Sequence, residues 1–75
     1  MVAYGEKEVE ETLKMGMVDT LLISEAMPDN RIEYFEEEAE KMGSAVRIIS
    51  VETREGVQLR EMGRIAAILR YELHQ

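Results

Sequence analysis

No cysteine and no tryptophan occur among the 75 residues. Proline appears once, as Pro28, and histidine once, as His74. Without cysteine there is no disulfide framework and no thiolate metal site. A lone histidine beside the last residue reads as a solvated tail residue rather than a general acid or base. No Gly-x-Ser-x-Gly elbow surrounds Ser24, Ser44 or Ser50, so none has the setting of a nucleophile. The glycines at 5, 16, 43, 56 and 63 are spread out as helix punctuation and form no phosphate-cradling loop. No apolar run approaches the roughly 20 residues of a membrane span. The opening Met1-Val2-Ala3-Tyr4-Gly5 lacks the basic and apolar regions of a signal peptide. These absences predict a cytoplasmic protein with no membrane partner, no cofactor and no metal.

Acidic charge is abundant. The net charge is −7, with Lys and Arg scattered among Glu along the chain. Affinity for nucleic acid comes largely from Lys and Arg displacing counterions, so this balance opposes direct RNA binding. Glu36-Glu37-Glu38 reads as a solvated helix face. Asp19 and Glu25 flank one apolar run and could bind a cation, but no ligand spacing supports it. At 45% hydrophobic, the chain has enough apolar content for a folded core.

Periodicity predicts alternating strands and helices. Val2–Tyr4 is a short strand, and Glu6–Met15 a helix with Val9 and Leu13 facing inward. Val18–Ser24 is a strand, and the run Leu21-Leu22-Ile23 implies cover on both faces. A loop over Glu25–Asn30 leads to a helix over Arg31–Met42, capped by Asp29 or Asn30. Its buried stripe is Ile32, Phe35, Ala39 and Met42. Ala45–Ser50 is a strand, Arg54–Met62 a helix capped by Thr53, and Ile65–Tyr71 a final strand. Gly56 costs about 1 kcal/mol inside a helix, which suggests close approach to the sheet. The five methionines beyond Met1 read as core filler. The expected fold class is α/β, a three-layer α/β/α sandwich with a central mixed or mostly parallel sheet. Residues 1–75 read as a single domain. Its sheet-top loops, Glu25–Asn30 and Val51–Thr53, lie where open α/β sheets bind small ligands.

Longer stretches carry a resemblance. Val2-Ala3-Tyr4-Gly5, Glu8-Val9 and the run from Leu13 to Ser24 are similar to the C-terminal domain of archaeal and eukaryotic class-1 peptide chain release factors. Ala39 to Gly43, Val46 to Ser50 and Thr53 to Leu59 agree. The ending from Gly63 to Tyr71 resembles the family's Gly-Gly-Ile-Ala-Ala-Ile-Leu-Arg-Tyr signature, with Arg64 in place of the second glycine. The C-terminal domain of the ribosome-rescue factor Pelota is a close relative. It usually has Phe at the position of Tyr71 and tends to carry His near the third helix. Both details favour the release factor.

The resemblance implies a fold similar to ribosomal proteins that bind kink-turn RNA, although fold kinship does not carry that function over. It implies a non-catalytic domain that docks an elongation-factor-like translational GTPase and a recycling ATPase, and meets the ribosome through the full-length factor. The hydrolytic Gly-Gly-Gln and codon-reading Asn-Ile-Lys-Ser motifs of the family are not in this chain. The inserted minidomain of many release factors is missing between Glu25 and Asn30. The family's GTPase-binding segment maps onto Ile68, Leu69, Arg70 and Tyr71. Ile68 and Leu69 read as core strand residues, whereas Arg70 and Tyr71 are the better contact candidates. A kink-turn RNA-binding module and a small ligand-binding or enzymatic α/β domain are the competing readings.

Overall fold

The structure, a computed structural model, describes residues 1–70. In chain order it contains β1 (Val2–Tyr4), α1 (Glu6–Lys14), β2 (Val18–Ser24), α2 (Asp29–Lys41), β3 (Ala45–Ile49), α3 (Arg54–Glu61) and β4 (Ile65–Leu69). The four strands form one mixed sheet in the order β1-β4-β2-β3. Strands β2 and β3 are parallel, while β4 runs antiparallel to both β1 and β2. The final strand therefore inserts between the first two, and an irregularity in register at Val18 and Thr20 marks its far end.

Side chains alternate across a strand, so each face of the sheet can be followed by register. Ala3, Leu21, Ile23, Ile65 and Ala67 are buried on one face against Val9 and Leu13 of α1 and Phe35 and Ala39 of α2. The alternate positions Val2, Tyr4, Leu22, Ala66 and Ile68 face the side of the sheet that carries α3, where Leu59 is buried. Helices on both faces make the three layers expected from the sequence.

The helices differ from expectation at their ends. Helix α2 starts at Asp29, and neither Asp29 nor Asn30 caps it. Pro28 stands at the cap with φ −56 and ψ 144, and its carbonyl accepts from Arg31 and Ile32, each at 3.0 Å. Proline's preset φ launches the helix directly, leaving Asp29 to complement the helix dipole. Thr53 does cap α3, its hydroxyl accepting from the Gly56 amide at 2.9 Å. Met17 and Met27 are buried, but Met15 and Met62 are exposed and fill no core.

The Gly63-Arg64 turn separates two demands that a glycine pair meets together. A Cβ on Gly63 would lie 2.9 Å from Gly5 Cα, so the close approach belongs to Gly63. Arg64 instead holds φ 69, a left-handed conformation that costs a non-glycine residue about 1–2 kcal/mol. Arg64→Gly should remove that strain while adding freedom to the unfolded chain, about 0.5–1 kcal/mol in the opposite sense. A net gain of roughly 0.5 kcal/mol is expected. Urea denaturation checks it, and a loss of stability would mean that the arginine side chain offsets its own backbone strain.

A polar clasp joins α1 to α2. Arg31 donates to Glu6 Oε1 from Nη2 at 2.7 Å and from Nε at 3.0 Å. Its guanidinium lies 4.9 Å from the Tyr34 ring centroid, within cation–π range. The Tyr34 hydroxyl donates to Glu10. That bond, assisted by Lys14 and Arg31, lowers the Glu10 carboxyl below its ordinary value. It raises the Tyr34 phenol in turn. Glu10's contribution to stability is present above its unfolded pKa and is lost as pH falls through the lower folded value. Tyr34's contribution holds below its unfolded value of 10.0 and is lost as pH rises through the higher folded one. In Tyr34→Phe, Glu10 should titrate at higher pH than in the parent chain. Carboxyl NMR reads this directly, and an unmoved Glu10 would refute the assignment of the shift to this hydroxyl.

Candidate protein-docking surface

Helix α3 has eight residues and leaves part of its sheet face uncovered. The result is an open groove of about 560 Å³. The sheet forms its floor with Val2, Tyr4, Ile68, Leu22 and Arg47, and α3 forms a wall with Leu59 and Met62. Val2 is 45% exposed, Tyr4 42%, Met62 42% and Ile68 38%. Exposed apolar side chains gathered along one groove make it the candidate contact surface of the domain.

The described residues of the segment proposed from the sequence, Ile68, Leu69 and Arg70, sit in three different settings. Ile68, expected in the core, lies in the groove. Ala66, two residues earlier on the same face, is buried, whereas Ile68 lies where α3 leaves the sheet uncovered. Leu69 is half-buried against the main core, and its amide donates to the Met1 carbonyl at 3.0 Å. Arg70 is exposed, with Nη2 donating to the carbonyls of Gly43 at 3.2 Å and Met42 at 3.4 Å. Arg70 therefore satisfies carbonyls at the end of α2, where a cation is favoured. Tyr71 and His74 lie outside the described residues.

The sheet-top loops are tied to each other. The Glu25 carboxylate accepts from the Val51 amide at 3.0 Å and from the Ser50 hydroxyl at 3.5 Å. Asp19 and Glu25 are six residues apart along β2 and its exit, roughly 20 Å at strand rise, too far to share one cation. Among the described residues no cluster of three or more His, Asp or Glu could hold a metal. None of the described helices is long and apolar enough to cross a membrane.

Sequence reasoning did not single out Val2, Tyr4, Leu22, Arg47 or Met62 as surface residues. The available signal was the two-residue alternation of Val2 and Tyr4 about Ala3. Its meaning depends on β1 pairing with β4, which no local pattern encodes.

The model of the family described as eRF1 domain 3 matches residues 1–73. The chain belongs to the eRF1 domain 3 family. Among curated relatives, the Pelota homologue of Pyrococcus abyssi is 42% identical over 77 residues, covering 97% of this chain and 22% of the relative. Peptide chain release factor subunit 1 of Methanobrevibacter smithii is 35% identical over 118 residues, covering 97% of this chain and 29% of the relative. That aligned span exceeds the length of the chain, so this eRF1-type relative holds additional residues within the region. The chain spans about a fifth of the length of the first Pelota relatives it matches.

Solved structures agree on the eRF1 domain 3 fold. An archaeal translation termination factor, aRF1, superposes with a TM-score of 0.83 at 40% identity, over 95% of this chain and 20% of that one. Dom34 of S. cerevisiae, described as a translation termination-like factor involved in RNA quality control pathways and interacting with Hbs1, gives 0.82 at 31% identity, over 99% and 22%. Archaeal Pelota, in a ribosome-bound structure with ABCE1, gives 0.78 at 32% identity, over 97% and 22%.

Proposed function

We propose that this chain is a non-catalytic docking domain of a termination or ribosome-rescue factor, working in the cytoplasm. Through it the full-length factor engages an elongation-factor-like GTPase and a recycling ATPase. The observation that carries the proposal is the open apolar groove, whose exposed Val2, Tyr4, Met62 and Ile68 offer contact area rather than converging catalytic groups. The relatives' partners support it: Dom34 interacts with Hbs1, and Pelota is found with ABCE1 on the ribosome. In this reading residues 1–75 act as one domain, and only a short turn stands between Glu25 and Asn30. The Pelota alignment, at 77 residues, fits that uninterrupted length and favours the rescue-factor branch.

The test is co-purification of each partner with the full-length factor, with and without Ile68→Glu. Loss of binding in a folded variant supports the proposal. Absence of binding by either partner to the unaltered factor ends it. Folding and binding separate because Ile68 is partly exposed. Ile68→Ala should cost only about 1 kcal/mol, below the roughly 2–5 kcal/mol of fully buried sites, against about 2 kcal/mol for Leu69→Ala at the bottom of that range. Paired urea titrations check this, and equal or reversed losses would return Ile68 to the core.

A further inference from the structure

Charge is segregated about the sheet rather than scattered. Residues 1–44 hold twelve carboxylates against Lys7, Lys14, Arg31 and Lys41. Residues 45–70 reverse the balance, with five arginines against Glu52, Glu55 and Glu61. In the acidic layer, Lys14, Arg31 and Lys41 are paired with Glu10, Glu6 and Glu38. Among the described residues, the exposed side chains of Arg47, Arg54, Arg60 and Arg64 have no ion-pair or hydrogen-bond partner. Arg47 lies in the groove itself, where Glu55 of α3 is the one carboxylate on the lining.

We infer that the groove receives an acidic apolar segment of a partner protein, whose apolar side chains fill it while its carboxylates meet Arg47 and the arginines of the α3 side. An unpaired guanidinium beside an apolar floor is suited to a carboxylate: its planar fork binds bidentately and is weakly hydrated. The acidic α1–α2 layer adds the converse selection, because it repels an approaching acidic segment everywhere except the arginine side. A second copy fits less well. The outward face of α2 supplies carboxylates but none of the large exposed apolar side chains. A polyanionic RNA would meet the field of the whole domain, at −7, along its length.

The inference rests on the docking reading and names the chemistry of the partner surface. It is tested by NMR titration of the labelled chain at 0.15 M salt with three probes. Two are helical peptides with leucines at helical spacing, flanked by Glu in one and by Lys in the other. The third is an oligouridine. The Glu peptide should shift the amides of Val2, Leu22, Arg47 and Ile68, and the Lys peptide should not. Arg47→Glu should weaken the Glu peptide about tenfold, and Lys7→Glu should leave it unchanged. Equal binding of the Lys peptide in the groove, no groove shifts with the Glu peptide, or tighter groove binding by oligouridine would each overturn the inference. So would concentration-dependent shifts of the same amides in the chain alone, which would mark a self-interface. If the GTPase and ATPase bind the full-length factor indifferently to Arg47→Glu, this inference falls and the docking reading stands. If they fail to bind while the Glu peptide succeeds, the reverse holds.

Discussion

Phe35→Ala should leave the domain largely unfolded or close to it. Phe35 is fully buried and stands first among the fully buried side chains by volume. It sits on the inner face of α2 in the cluster that includes Val9, Leu13, Leu21 and Ile23. Truncating a buried Phe costs about 3–5 kcal/mol, partly in lost transfer energy and partly in the cavity that remains. A domain of 75 residues is expected to have only about 4–11 kcal/mol in total. Tyr34 adds an edge-on aromatic contact, with ring centroids 5.1 Å apart and planes at 79°, worth about 0.5–1.5 kcal/mol more. Nor can the site collapse easily, because the sheet beneath it is fixed by β-ladder pairing. Urea denaturation followed by far-UV circular dichroism measures the loss. A drop below about 1.5 kcal/mol would place it in the range of conservative core swaps and show that Phe35 is not the centre of the core.

The inner half of this architecture was legible because its signals are local. Val9 and Leu13 are four apart, Phe35 and Ala39 are four apart, and each pair reports a helix face without reference to anything distant. Thr53 was readable as a cap for the same reason: the bond it makes to Gly56 spans three residues. What failed depends on distant neighbours. Ile-Ala-Ala-Ile-Leu looks like a strand covered on both faces, yet cover on the second face depends on where α3 lies and how soon it stops. Ala66 is buried there and Ile68 is not. The insertion of β4 between β1 and β2 is equally invisible locally, since a five-residue run says nothing about which strands will flank it. The groove follows from both, so its residues were missed except Ile68, which the family resemblance supplied for another reason. For Arg70 the resemblance suggested a contact residue, and the fold adds what no local pattern could show: its exposed guanidinium reaches the carbonyls of Met42 and Gly43. The arginine segregation was in the sequence as a list of positions, but a linear reading sees each Arg among nearby Glu. Only the sheet sets the two layers apart.

Gly56→Ala should reverse the sign that helix propensity assigns to it. In an unconstrained helix, alanine is more favourable than glycine by about 0.8–1.0 kcal/mol. At this position an added Cβ would lie 1.7 Å from the Ser50 carbonyl oxygen and 2.7 Å from its carbon. Both are backbone atoms of the residue that follows β3, so no side-chain rotation relieves the clash. The same carbonyl accepts from the Thr53 hydroxyl at 3.0 Å, and that hydroxyl accepts from the Gly56 amide. Moving α3 away from Ser50 therefore breaks its own N-terminal cap. It also lifts Leu59 from the sheet, removing the wall of the groove. Overpacking of this kind costs typically 1–3 kcal/mol and occasionally more, and loss of a cap adds about 1. A net loss of about 3 kcal/mol is expected after the propensity gain. For a domain this small that means a fall in Tm of roughly 15 °C. Val57→Ala is the control on the same helix: its side chain is exposed, and the change should be neutral or slightly stabilising. If Gly56→Ala melts at or above the parent temperature, α3 does not pack as described, and the groove built against it loses its geometry. If stability falls as expected and binding of the acidic peptide falls with it, the contact of α3 with the Ser50 backbone is what shapes the proposed docking surface.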